Sequence, residues 1–314
     1  PLAIIVSAIF WAWLWGPVEL VLSTPLTVCL VVLGRHVPKF EFLEILFGNE
    51  PVLDPKERLY QRLLAGDPDE ATDNAEEMLE QKYLVEFYGS VAVPALLMAE
   101  RDRLRSVLTE QQLQIVTEST KTLVANLEQI ATEEEGDDEE IAIENPDGDG
   151  SKTDLELPSG EGRSLLTFGG RRGLDDTAAV MLAQVLAVQG ASAEAVAHDA
   201  LTPARLKALD ISGRDTLMIC FLDRQAARHA RFAVRRLRRL QPAVRVGVVL
   251  WHEPNEARSV DREALREEMQ ADFVACTMIE AVVEGLSETK PKPLKAAGKT
   301  ARAQSRKATA AKPA

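Results

Sequence analysis

Cysteine and histidine are scarce in this sequence. Cys29, Cys220 and Cys276 stand alone, as do His36, His198, His229 and His252. No spacing among them suits a disulfide framework or a metal site, and lone thiols fit a reducing cytosol. A secretory signal is also lacking, since the apolar start has neither a basic n-region nor a small-residue cleavage site in order. Basic charge is in deficit overall: a net charge of -13 and a pI near 5.0 argue against a dedicated nucleic-acid binder. At 314 residues, two or more modules are expected.

Charge is nearly missing from residues 1–34, PLAIIVSAIFWAWLWGPVELVLSTPLTVCLVVLG, where Glu19 is the only formally charged side chain. Apolar residues surround any helix drawn through this stretch, as a bilayer demands. A single helix of this length would reach about 50 Å, too long for one crossing of a core about 30 Å thick. Gly16-Pro17 supplies a break, because Pro17 lacks a backbone N–H and disfavours helix at Gly16. The expectation is a membrane α-helical hairpin. Pro25 bends its second leg, where Ser23 and Thr24 can compensate the lost hydrogen bond. Arg35, His36 and Lys39 follow that leg and favour a cytoplasmic exit, with Trp11, Trp13 and Trp15 towards the opposite interface. A chain starting at Pro1 suggests a fragment of a longer protein with earlier spans.

The run FWAWLWGPVELVLSTPLTVCLVVLGRHVPKFEFLEILFGNEPVLDPKERLYQRLLAGDPDEA resembles the end of the membrane domain and the start of the C-terminal extension in proteobacterial members of the autoinducer-2 exporter family of permeases. Gly16, Leu22, Pro25 and Leu26 match the pattern of the family's last span, as does the Arg35-His36 exit. Glu19 replaces a residue that is usually small, and Ser23 one that is commonly alanine. The resemblance implies a multi-pass protein of the bacterial inner membrane that moves a small molecule or ion, with its C-terminal region cytoplasmic. Gly16, Pro17, Ser23, Thr24 and Pro25 would then shape the helix break and packing near the pathway, and Glu19 is a polar candidate there. Membrane lipid and the transported solute are the implied partners, with a homo-oligomer and a cytoplasmic protein as further candidates.

Residues 35–131 read as an all-α cytoplasmic segment. PKFEFLEILFGN is amphipathic, as in a helix on a membrane surface. Asp54-Pro55 and Asp67-Pro68 open two helices, the first closed by Gly66. Pro94 bends or interrupts the helical stretch 84–108, and Thr109 with Gln112 forms a capping box for the next helix, which carries Leu113, Val116, Leu123, Leu127 and Ile130 on one face. Residues 132–160 contain EEEGDDEE and NPDGDGSK, the composition of an acidic disordered linker.

Residues 161–286 change to strand–helix alternation. RSLLTF, AEAVAH, TLMICF, VRVGVVLW and ADFVAC are short apolar runs of the kind buried parallel strands require. Helices are expected over 174–189, 203–209, 226–240, 260–269 and 279–286. Five such units imply an α/β doubly wound domain, Rossmann-like or flavodoxin-like. At its strand ends, Gly169, Gly170, Arg171, Arg172 and Gly173 form a turn into a helix that is either an anion cradle or a tight structural turn. It is neither a dinucleotide fingerprint nor a Walker loop. Asp223 would suit a receiver domain, but its acidic pair and lysine are not in place, and the cobalt-ligating loop of cobalamin-binding domains is lacking. The domain therefore reads as a sensor or protein-interaction domain without catalysis, cofactor or metal. In the helix 226–240, Arg228, Arg231, Arg235, Arg236, Arg238 and Arg239 surround Phe232, Val234, Leu237 and Leu240, either pairing with the protein's own acids or docking on anionic lipid or the linker. Residues 287–314 read as a basic disordered tail.

Overall fold

The computed structural model describes Trp13 and residues 53–80, 82–137 and 157–287, with side chains to Gln129 in the helix that ends at Asp137. The expected hairpin, with Gly16, Pro17, Glu19, Ser23, Thr24 and Pro25, lies outside these residues, as do most of the acidic linker and the basic tail. Among the described residues, no helix is long and apolar enough to cross a membrane. Those from Lys56 onward belong to one compact unit.

This unit begins with helices α1 (Pro55–Ala65), α2 (Pro68–Leu79) and α3 (Leu84–Phe87). The N-cap of α2 is Asp67, whose carboxylate accepts from the Glu70 N–H at 3.3 Å and takes up an otherwise orphaned donor. Gly66 closes α1 at φ 76°, a conformation that L side chains rarely adopt. The expected interruption near Pro94 takes a specific form: a π-helical turn at Tyr88–Ala92 precedes α4 (Val93–Leu104). The Val93 N–H reaches back five residues to the Tyr88 carbonyl, and Pro94 then occupies the first turn of α4, where its missing N–H costs little.

Helix α5 (Glu110–Asp137) opens on the capping box read from the sequence: the Thr109 N–H donates to Gln112 Oε1 at 3.0 Å and the Gln112 N–H to Thr109 Oγ1 at 3.2 Å. It runs past residue 131 and takes in the start of the acidic stretch, where Glu133, Glu134 and Glu135 are good helix formers.

The α/β part follows as β1 (Ser164–Gly169), α6 (Gly173–Val188), β2 (Ser192–Val196), a 3-10 turn His198–Leu201, α7 (Pro203–Leu206), β3 (Thr216–Phe221), α8 (Ala227–Leu240), β4 (Arg245–Leu250), α9 (Pro254–Ala257), α10 (Arg262–Met269), β5 (Phe273–Ala275) and α11 (Met278–Leu286). All strands are parallel, in the order β2-β1-β3-β4-β5. Helices 203–209 and 260–269 are shorter than expected: α7 stops at Leu206, and α10 starts at Arg262 because Asp261 caps the Ala264 N–H.

Alternating strand residues feed two cores, as period-two side chains must. Leu166, Phe168, Ile219, Val246 and Val248 pack with Ala230, Val234 and Leu237 of α8 and Met269 of α10. On the other face, Leu165, Met218, Cys220 and Val249 pack with Leu174, Met181, Leu182 and Val185 of α6 and with Val282 of α11. This second core continues into Leu63 of α1, Val85 and Phe87 of α3, Leu96 of α4 and Leu123 of α5. The helical segment and the α/β part thus share one apolar interior.

Shared packing predicts shared unfolding. Leu123→Ala in a 53–287 fragment removes a fully buried side chain of α5 and is expected to cost about 2–5 kcal/mol. Urea unfolding followed by Trp251, the sole tryptophan of that fragment and a residue of the strand-end loop, should show one transition at lower urea. An unchanged Trp251 transition would mean that the two parts are independent.

Candidate functional site

Loops at the C-terminal ends of the strands are where doubly wound sheets hold ligands. The structure brings the Gly169–Gly173 turn to that edge, beside the loop after β3. Its glycines are needed for packing: a Cβ on Gly169 would lie 1.8 Å from Asp176 Oδ1, and one on Gly170 would lie 2.3 Å from the Phe221 ring. At the start of α6, a Cβ on Gly173 would meet Thr117 of α5 at 3.1 Å.

The amides of this turn already face an anion that belongs to the chain. Asp175, in the first turn of α6, accepts from the Arg171 N–H at 2.9 Å and the Arg172 N–H at 3.2 Å through Oδ2, and from the Leu222 N–H at 2.8 Å through Oδ1. Its carboxylate ties the β1 loop to the β3 loop, and an incoming phosphate would have to displace it from the Arg171 and Arg172 amides. Burial pushes the Asp175 pKa up to about 7 from its ordinary 3.8, against the pull of the three amides. Around it, Arg171 pairs with Asp223 at 3.7 Å, and Asp176 holds His198 through the backbone N–H at 2.6 Å and the ring Nδ1 at 2.7 Å.

Further along the edge, Glu253 after β4 is clamped between Lys56 of α1 at 3.0 Å and Arg101 of α4 at 3.3 Å. The hydrogen bond from the Lys56 ammonium holds its carboxyl below the usual range. Buried Glu100 of α4 takes both of its 2.6 Å bonds from Arg103. The Glu253 cluster joins the helical segment to the loop after β4, a pairing that no sequence pattern shows.

A groove of about 640 Å³ lies beside the ends of β4 and β5. One wall is Lys82, Val85, Glu86, Gly89 and Ser90, from α3, its approach and the π turn. The other includes Arg258 and Arg262 near α9 and α10 and Thr277, Met278 and Glu280 at the start of α11. Thr277 caps the Glu280 N–H at 3.3 Å, while the Glu280 carboxylate holds Arg262 through two bonds and accepts from the Cys276 N–H at 3.0 Å. A smaller cavity of about 210 Å³ lies between α4 and the loop after β3, lined by Leu97, Glu100 and Asp223 among others.

Helix α8 spends part of its arginine charge inside the fold. Arg238 pairs with Asp272 at 2.9 Å with little exposure, Arg235 bonds Gln270 at 3.0 Å and Arg236 donates to the Leu201 carbonyl at 3.0 Å. Arg228 and Arg239 are exposed, and Phe232 stands 52% exposed among them. Among the described residues, no cluster of three or more His, Cys, Asp or Glu could hold a metal ion.

Strand order and two-sided helix cover define a doubly wound parallel α/β part of the flavodoxin-like order, with a helical segment built onto one face. No family model matches the chain, and no curated protein does.

Asp175 yields a prediction whose sign can be worked out. Its folded pKa lies above the unfolded value, so its contribution to stability is complete below about pH 4 and is lost as the pH rises through about 7. Asp175→Asn should remove this component of the pH dependence between pH 4 and 8. At pH 5 it should also cost about 1–3 kcal/mol, because the amide cannot accept from all three N–H groups, and this deficit should shrink or reverse by pH 8 as the wild type loses its own contribution. Urea midpoints at pH 5 and pH 8 check both expectations.

Proposed function

We propose that this chain is the C-terminal part of an integral membrane permease resembling the autoinducer-2 exporter family, and that its soluble unit regulates transport of a small solute or ion without catalysing a reaction. The membrane part of this reading rests on residues 1–39 and the matches at Gly16, Leu22, Pro25 and Leu26. A cytoplasmic position for the soluble unit follows from Arg35, His36 and Lys39.

One observation carries the regulatory part: the helices that follow the membrane stretch in sequence share a core with the α/β part. Glu253, at a strand end, is bonded to Lys56 of α1, near the chain's entry into the unit. A ligand or partner that shifts the strand-end loops therefore acts on α1 through packed side chains and one ion-pair cluster. Asp175, held by three amides, is engaged in structure and is not free to serve as a base.

A second reading is favoured by the groove beside α11: a membrane-anchored sensor with no transport of its own. Accumulation of labelled small solutes and ions in vesicles separates the two. The full-length protein should transport, and a version ending after Asp54, which removes the soluble unit without cutting through its core, should still transport but lose control. Absence of transport in folded, inserted full-length protein would move the assignment to the anchored sensor.

A further inference from the structure

We propose that the groove between the π turn and the start of α11 binds a small amphipathic anion, a carboxylate or phosphate group carried on a short apolar body. Its volume of about 640 Å³ is that of a small-molecule site, in the range of roughly 300–1,000 Å³ typical of such pockets. The lining carries three cations, Lys82, Arg258 and Arg262, against two acids, Glu86 and Glu280.

The state of each charge matters more than the count. Arg262 and Glu280 neutralise one another through a two-bond pair, and Glu86 accepts from the Tyr83 N–H at 3.3 Å at the start of α3. Lys82 and Arg258 are exposed on opposite walls, and neither has an ion-pair partner among the described residues. Against the carboxylate of Glu86, these two cations leave the groove one positive charge in excess, which favours an anion between them. The same lining carries Ile279, an apolar side chain 39% exposed, beside buried Val85, Ala257 and Met278, so the occupant meets apolar surface as well as charge.

The π turn supplies an independent observation. Such turns occur frequently at functional sites, and this one places Gly89 and Ser90 in the groove wall. Gly89 also lets the two walls approach closely, since a Cβ there would lie 3.3 Å from Met278 Cβ. The inference rests on the regulatory reading for its consequence, because an occupant would bridge the helical segment and the α/β part.

Hexyl phosphate is a suitable probe, titrated calorimetrically into full-length protein in phosphatidylcholine nanodiscs. Saturable binding is expected, with inorganic phosphate and hexanol each at least about tenfold weaker, since each supplies half of the recognition. The double variant Lys82→Gln, Arg258→Gln should weaken hexyl phosphate by about tenfold or more, the loss expected for one charge-assisted contact. Ser90→Trp, which fills the groove without changing charge, should abolish binding while leaving the circular-dichroism thermal melt unchanged. Absence of hexyl phosphate binding at millimolar concentration, or equal binding by the wild type and the double variant, would overturn the proposal.

Two supporting outcomes separate the source of the anion. Hexyl phosphate binding that is weaker in phosphatidylglycerol than in phosphatidylcholine nanodiscs at high salt, where surface repulsion is screened, marks a lipid headgroup as the source, and unchanged binding marks a soluble anion. The permease reading fails separately: no transport with intact hexyl phosphate binding removes transport and leaves the groove, while transport without that binding removes the groove alone.

Discussion

Helix α6 is apolar on more than one side, and the rest of the compact unit depends on covering it. Leu174, Ala178, Ala179, Met181, Leu182, Val185 and Leu186 are all buried, too many for the single stripe that a surface helix turns to a sheet. One side rests on the strands, and the other is covered by α4 and α5. An α/β part released from the helical segment would expose this second side to water. At about 25 cal/mol per Å² of apolar surface, stripping several leucines and valines is a large loss against a typical stability of about 5–15 kcal/mol. The helices are therefore part of the fold and not a spacer leading to it.

That arrangement changes what the strand-end edge can do. In an open doubly wound sheet the first loop is free to hold a phosphate, but here Asp175 turns back from α6 and takes the Arg171 and Arg172 amides. Burial among the covering helices raises its pKa, and the same burial makes its three donors valuable, because an amide left without an acceptor in the interior is costly. The edge near β1 and β3 is thus closed by the chain's own carboxylate. The unpaired cations and the larger opening lie instead at the β4–β5 end, where the π turn faces α11.

Between these two ends sits Glu253, bonded to Lys56 and Arg101. The cluster is partly exposed, so its direct contribution to stability is modest, on the order of 1 kcal/mol or less for such pairs. Its place gives it more weight than its energy: it joins the loop after β4 to both α1 and α4. Together with the shared core, it makes a contiguous route between the groove's neighbourhood and the first helix of the unit.

The strands and their order of appearance were legible in the sequence because buried parallel strands need short, continuous apolar runs, and TLMICF and RVGVVL can hardly be anything else. Asp67-Pro68, Gly66 and the Thr109–Gln112 box marked helix ends through local hydrogen bonds, which depend on neighbours in the chain. The Gly169–Gly173 turn was also visible, but the identity of its anion was not, since Asp175 looks like an ordinary first-turn acid until Leu222 is brought beside it. Nor could spacing reveal that Lys82 and Arg258, 176 positions apart, line one groove. Local chemistry and periodicity determined the elements and the apolar N-terminal stretch. Only tertiary structure decided which carboxylate closes the strand-end turn, which helices cover α6 and where unpaired charge meets open space, because each depends on contacts between residues far apart in sequence.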